Sequence, residues 1–291
     1  MRSTAHPWWV PYFFVSPFAL IFLVFISYPL VESVLLSFEQ TYGPKTSVFI
    51  GMDNFRFLLK DERFWTAVKN NCVFALASLG LQLTLSLGLA VLLNHPKVKA
   101  KAFFRLILYA PSLVGTVFVG VLFNLIFHAH DGLLNSFLRS IIPGFPQDFP
   151  WLQNYVMTAI VLSSLWLYVG YNMVFFLAAL QNVEQELNEA AAIDGANAWQ
   201  RFVHITIPAI APIAGFVVLM SLIGSFQLFE LPFILLGRSS GPEDRGLTLV
   251  MYLYENGFQV GDLGYASAIG WVLSIILIIL AVAQRLMVRE D

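Results

Sequence analysis

Charge is what this chain has least of. Asp, Glu, Lys and Arg make up 12% of its 291 residues, whereas 58% are hydrophobic and 27 are Phe. A water-soluble domain carries about 25% charged residues, so the chain lacks the polar surface that would keep it dissolved. Cysteine is nearly absent, and the single Cys72 excludes an intramolecular disulfide and leaves the redox compartment unread. There is no large basic patch and the net charge is −2, so nothing points to nucleic acid. No Gly-x-x-x-x-Gly-Lys-Ser/Thr run occurs, which excludes that phosphate-cradling loop for holding ATP. Nor is there a catalytic cluster of Ser, His and acids, and the chain reads as a non-enzyme.

The charges are missing from six long runs. Residues 3–31, 70–96, 106–130, 149–183, 202–229 and 263–284 contain no Asp, Glu, Lys or Arg. About 20 apolar residues take a helix across the hydrocarbon core. In lipid the backbone must satisfy its own hydrogen bonds, so spans of this length are helices rather than strands. The pattern predicts an all-α, polytopic integral membrane protein with six transmembrane helices, near 12–34, 70–93, 104–127, 155–180, 208–232 and 263–286. The first run is longer than a signal-peptide core and no small-residue cleavage pattern comes after it, so a retained helix is expected. No Pro/Gly/Ser-rich linker or short repeat divides the chain, and a single transmembrane domain over 1–291 is the simplest organisation.

Six spans put both termini on one side. Assigning that side to the cytoplasm gives it Arg2, Lys97, Lys99, Lys101, Arg105, Arg201, Arg285 and Arg289. The other side receives Lys45, Arg56, Lys60, Arg63, Lys69, Arg139, Arg238 and Arg245, a tie in number. Positive-inside bias weights short loops and flanks. The connection 94–105, "NHPKVKAKAFFR", packs four basic residues together, while the loop 35–69 dilutes five among acids. Cytoplasmic termini are expected.

The loops are unequal. The first mixes aromatic and charged residues and is expected to lie on the outer surface as short amphipathic pieces; the third, with three prolines and a Trp, suits an ordered interfacial loop. Pro208 and Pro212 sit at the entrance of the fifth span, where missing N–H groups cost little. Pro111 falls inside the third span and Pro232 near the end of the fifth, as ordinary kinks or as gating points.

The connection between the fourth and fifth spans reads "QNVEQELNEAAAIDGANAWQRFVHITIP". Residues 184–193 favour helix. Asp194-Gly195 is a stop-and-turn signal, and Asn197 with Gln200 three residues later resembles a capping box that starts a second helix. Trp199, Phe202 and Val203 give that helix an apolar stripe. The small residues Ala190, Ala191, Ala192, Gly195 and Ala196 keep the elbow, about 184–207, slim. Such an elbow either slots into a cleft of another protein or merely joins two spans.

Here the sequence resembles a known family. "EAA", three residues, Gly, nine residues and "I-x-x-P" is the signature of bacterial ABC-importer permease subunits, and Glu189, Ala190, Ala191, Gly195, Ile205 and Pro208 fall in its register. Asp194 and Ala196 match the common "DGA" extension, and the one departure is Ile207 where Leu is usual. "GMDNFRFLL", "FFRLILYAPSLVGTVFVGVLFNLIF", "GLLN" and "DLGYASAIG" look like the carbohydrate and glycerol-phosphate branch, on the maltose-type side. In the fifth loop, "GRSSGP" stands where that branch commonly has "GGGP".

The resemblance implies a type I ABC-importer permease fold in the bacterial inner membrane, embedded in lipid. It implies a second permease subunit, an extracytoplasmic solute-binding protein, and a cytoplasmic ATPase dimer that holds the ATP and Mg, with no cofactor or metal on this chain. The elbow would be the coupling helix, with Glu189 pairing with a basic residue of the ATPase, Gly195 permitting the turn, and Ala190, Ala191, Asp194 and Ala196 seating it closely. Maltose-type correspondence places Ser112, Thr116, Leu167, Tyr168, Ser221, Ser225 and Leu228 near the sugar path.

The residues add their own constraints. Charged groups occur only near span ends, as with Arg105 and Glu230, which argues against an ion relay and for a neutral, hydroxyl-rich cargo. Ser112, Thr116, Ser163, Ser164, Asn172, Ser221, Ser225 and Gln227 are polar candidates inside the spans. Trp166, Tyr168 and Phe226 offer rings to sugar faces, although Ser and Thr equally serve as packing glue between membrane helices. His128 and His130, without a carboxylate or Cys cluster, read as interfacial rather than metal-binding. A carbohydrate is the expected cargo and a glycerol-phosphate-type cargo the alternative. An ion-coupled secondary transporter fits less well, because neither inverted repeats nor membrane ion ligands are visible.

Overall fold

The computed structural model describes residues 9–43 and 46–288. Arg2, Lys45 and Arg289, which entered the orientation count, lie outside the described residues. The helices run in chain order: α1 (Val10–Leu36), α2 (Asp53–Leu58), α3 (Glu62–Asn94), α4 (Lys101–Tyr109), α5 (Thr116–Ile126), α6 (Leu133–Ile141), α7 (Trp151–Asn154), α8 (Val156–Gln181), α9 (Gln185–Ile193), α10 (Ala198–Phe226), α11 (Glu230–Leu235), α12 (Leu249–Tyr254) and α13 (Leu263–Val288). Five of them are long and apolar enough to cross a membrane, and the bent pair Lys101–Leu113 and Thr116–Ile126 makes a sixth when the two are counted as one span. A short hairpin, β1 (Glu39–Thr41) and β2 (Ser47–Phe49), is the one sheet among the described residues.

The third and fifth expected spans differ most from those observed. The third is not one helix over 104–127: Ala110–Leu113 forms a tight 3-10 turn, Val114 and Gly115 are extended, and the chain bends by 96°. Pro111 opens that turn, where its missing N–H and fixed φ end the α-helix. The fifth does not reach 232. It ends at Phe226, Gln227–Phe229 leave helical geometry, and Pro232 sits in the first turn of α11, where a proline is tolerated.

The described residues form two compact units. One comprises the chain up to Asp61 together with Leu253–Val272. In it the first loop forms the β1–β2 hairpin and the short helix α2, and the hairpin is fastened to the start of α13. Glu39 pairs with Phe49 and Thr41 with Ser47. The Asp262 carboxylate accepts from the Tyr265 N–H (3.0 Å) and the Thr41 hydroxyl (3.2 Å), while the Thr41 Oγ1 accepts from the Gly264 N–H (3.1 Å). One acid thus caps a helix and clasps a strand. A side chain at Gly264 would overlap the Glu39 carbonyl, so only glycine allows this approach. The buried Asn54 amide donates to the Ser37 and Glu39 carbonyls at 3.0 and 2.9 Å.

The second unit holds Glu62–Tyr252 and the chain from Leu273. Its centre is α8, which is apolar all round and buries side chains along its whole length, as a helix surrounded by others must. The first half packs with α5 and α11 through Val119, Phe123, Ile160 and Leu231. The second half packs with the end of α3 and with α10 through Ala90, Met173, Leu177 and Ile210. Small residues set the closest approaches: a methyl at Gly170 would overlap the Leu108 carbonyl, and one at Gly120 would meet Ile234 Cβ at 2.8 Å.

Candidate functional site

Two features of the second unit carry chemistry. The elbow is built by strictly local rules. α9 stops at Asp194, and Gly195 takes φ +86°, a left-handed conformation that side chains disfavour. The Ala196 N–H reaches the Ala191 carbonyl (2.9 Å) and the Gly195 N–H the Ala192 carbonyl (3.2 Å), the paired bonds of a Schellman ending. α10 then begins with the anticipated capping box: Gln200 N–H donates to Asn197 Oδ1 (2.9 Å) and Asn197 N–H to Gln200 Oε1 (2.8 Å). Arg201 Nη1 donates to the Asn188 carbonyl at 3.3 Å and ties the two arms together. His204 Nδ1 lies 2.9 Å from the Gln200 carbonyl.

Neither arm buries a side chain. Ile193 is 87% exposed and Trp199 70%, with Trp199 packed only against Phe202 at 5.8 Å between rings. Glu189 is exposed, and its Oε1 accepts from Gln185 Nε2 at 2.7 Å. Large exposed apolar groups such as Ile193 and Trp199 beside a carboxylate make the elbow a candidate contact surface. Glu189, Ala190, Ala191, Asp194, Gly195 and Ala196 are all brought to this one feature.

The second feature is a cleft of about 180 Å³ between α3, α8 and α10. Of the expected path residues it gathers Tyr168, Asn172, Ser221, Ser225 and Leu228. Asn172 Nδ2 donates to Ser221 Oγ (3.3 Å), Ser225 Oγ donates to the Ser221 carbonyl (2.8 Å), and Ser225 Oγ lies 3.3 Å from Ser78 Oγ. No Asp, Glu, Lys, Arg or His lines it. The walls are otherwise Phe74, Gln82, Tyr171, Met220 and the open flank of Gly224.

The remaining expected residues do not line this cleft. Ser112 donates to the Tyr109 carbonyl (2.7 Å) inside the turn that bends the third span, and Thr116 opens α5 beyond the bend with its side chain hydrogen-bonded to Tyr168 of the cleft. Leu167 and Phe226 are buried in packing, Trp166 sits edge-on to Phe123 at 5.6 Å, and Gln227 is exposed at the break after α10. Ser163 and Ser164 bond back to carbonyls of their own helix. His130 pairs with Asp148 at 2.9 Å on the loop after α5. Sequence reasoning missed the wall supplied by α3: Phe74, Ser78 and Gln82 stand four residues apart, and that spacing in an apolar span was the available signal.

Comparison with known proteins places the fold in a family. A family model described as the binding-protein-dependent transport system inner membrane component matches residues 73–290. The arabinooligosaccharides transport system permease protein of Bacillus subtilis (strain 168) is 38% identical over 273 residues, covering 93% of this chain and 86% of that protein. The lactose transport system permease protein of Rhizobium radiobacter is 34% identical over 281 residues, covering 95% and 93%. The sn-glycerol-3-phosphate transport system permease protein of Shigella flexneri is 33% identical over 284 residues, covering 95% and 92%. Among solved structures, a chain of a bacterial ABC transporter for the acidic polysaccharide alginate superposes with TM-score 0.82 at 24% identity, covering 97% of this chain and 96% of that one, and so shares the fold. With the motif in register, the elbow formed and the fold shared, the chain belongs to the binding-protein-dependent transport system inner membrane components, the permease subunits of ABC importers.

Proposed function

We propose that the chain forms half of a translocation path for a neutral carbohydrate in the bacterial inner membrane. It pairs there with a second permease and receives cargo from an extracytoplasmic solute-binding protein. The observation that carries the cargo class is the cleft lined by Asn172, Ser221, Ser225 and tyrosines with no ionic group. Hydroxyl and amide groups exchange hydrogen bonds with sugar hydroxyls, and the tyrosine rings suit their C–H faces. A phosphate-bearing polyol would want a cation in the path. That second reading is kept alive by the similarity to the glycerol-phosphate permease, and it requires the partner permease to supply the charge.

The elbow faces the cytoplasm in this reading, in keeping with the four basic residues of 94–105. It seats in a groove of an ATPase dimer that binds ATP and Mg, so closure of that dimer is transmitted to α8 and α10. Exposed Glu189 then meets a cation of the ATPase, a charge-assisted contact worth about 1.5–3 kcal/mol. The test is a reconstituted complex carrying Glu189→Lys: sugar uptake and cargo-stimulated ATP hydrolysis should be lost while the permease still inserts and folds. Near-wild-type uptake would overturn the coupling role. Uptake of radiolabelled glycerol 3-phosphate but of no sugar by the unmodified complex would overturn the cargo class.

A further inference from the structure

Gln82 is the polar residue of the cleft that the chain leaves unanswered. Its side chain lines the cleft and the residue is only 7% exposed, yet it makes no hydrogen bond among the described residues. Its polar neighbours differ. Ser78 and Ser225 face one another, Asn172 donates to Ser221, and Ser225 also reaches back to its own helix. A buried amide without partners is destabilising, and native interiors keep few of them. The amide is also not sealed in packing: the fully enclosed unpartnered side-chain atoms among the described residues are Arg105 Nε and Arg201 Nε. Gln82 therefore opens its donors and acceptor onto the cleft itself.

The local backbone points the same way. Within α3, Leu79–Leu83 is a π turn. Such a turn holds one extra residue and rotates the helix beyond it by about 100° relative to regular winding. π turns recur at functional sites. Gln82 sits inside this one.

We propose that Gln82 is a cargo-contacting, specificity-determining residue, whose amide donates to one hydroxyl and accepts from another of a neutral sugar in the cleft. The assignment rests on the carbohydrate reading above and deepens it. Water answers the amide between transport cycles, and the vicinal hydroxyls of a sugar displace that water without loss of hydrogen bonds. A phosphate would meet the carbonyl lone pairs as well as the donors, and a neutral polyol is the better match.

The experiment compares wild type with Gln82→Met, which keeps the length and removes the hydrogen bonds. Both are assembled with the partner permease, the ATPase and the binding protein in vesicles. Uptake of radiolabelled lactose, arabinotriose and glycerol 3-phosphate is measured beside ATP hydrolysis and the melting temperature of the complex. Loss of a neutral hydrogen bond to cargo should lower sugar uptake about fivefold. Sugar carried per ATP should fall with it, and the melting temperature should hold, because the amide bonds to no other group among the described residues. Unchanged uptake in the variant would overturn the Gln82 assignment and leave the carbohydrate reading standing. A fall in melting temperature that tracks the lost uptake would mean a structural amide and overturn it as well. If wild type carries only glycerol 3-phosphate, the carbohydrate reading falls and Gln82 with it.

Discussion

Asn71 holds the end of α10 at Ser225. Its Nδ2 donates to the Ser225 carbonyl at 2.8 Å and to the Phe226 carbonyl at 3.4 Å, and its Oδ1 accepts from the Leu249 N–H at 2.9 Å. The residue is fully buried. Asn71 therefore satisfies the last carbonyls of one helix and the first N–H of another, both from the middle of a third. The cleft serines ride on the helix end that it fixes.

Asn71→Ala should destabilise the folded permease by about 1–3 kcal/mol, because it leaves the Leu249 N–H and the carbonyls at 225–226 buried without partners. Thermal unfolding of the detergent-solubilised complex reads this directly. An unshifted melting temperature would mean that water replaces the amide.

Gly224 presents open space to the cleft: a Cβ placed there meets nothing within 4 Å. Gly224→Ala should be accepted and should stabilise α10 by up to about 1 kcal/mol through helix propensity. Gly224→Trp should fill the cleft and abolish uptake while leaving the melting temperature within a few degrees of wild type. Transport by the Trp variant at wild-type rate would show that cargo does not pass this face.

Gly170 poses the opposite case. Its helix lies so close to α4 that a methyl group would overlap the Leu108 carbonyl, a backbone atom that cannot swing aside. Gly170→Ala should force α4 and α8 apart and cost at least 1–3 kcal/mol, the range for overpacking. Reduced yield of folded complex and a lower melting temperature are the expected readouts. Because the bent third span hangs from α4, uptake should suffer as well.

What the sequence disclosed and what it hid divide along physical lines. The elbow was legible because its determinants are local: Gly195 for the left-handed turn, and Asn197 with Gln200 for the cap, lie within six residues. The spans were legible because lipid imposes length and composition. The bend at Pro111 was not, since hydropathy sums apolar residues without regard to direction, and Val114 and Gly115 look as greasy extended as helical. The clasp of Asp262 on Thr41 joins residues 221 apart and has no local sign. Gln82 was passed over for a subtler reason. In an apolar span a polar side chain reads equally as packing glue, and although Phe74, Ser78 and Gln82 recur at helical spacing, only the packing of α3 beside α8 and α10 brings them to the cleft that Asn172 and Ser221 line.

The fifth loop offers a pH test. Arg63 grips Asp244 through two bonds, Nε to Oδ2 at 2.8 Å and Nη2 to Oδ1 at 3.0 Å, and Ser240 Oγ donates to the same carboxylate at 2.5 Å. The Arg63 hydrogen bond, aided by Ser240 and opposed by partial desolvation, holds the Asp244 carboxyl below the usual carboxylate range. Asn70 fastens the same turn by donating to the Asp244 and Leu247 carbonyls at 2.8 and 3.0 Å. A carboxyl whose folded pKa is lowered stabilises the fold fully above its unfolded value of about 3.9, and that contribution fades as pH falls through the lower folded value. The tether should thus be constant from pH 7 to about pH 5 and weaken only below about pH 4. Because Arg63 is half exposed, solvent screening limits the pair to roughly 1 kcal/mol or less. The measurement is the difference in melting temperature between wild type and Asp244→Asn as a function of pH. It should be flat near neutrality and shrink as pH falls below about 4; a difference that grows on acidification would have the wrong sign for this pair.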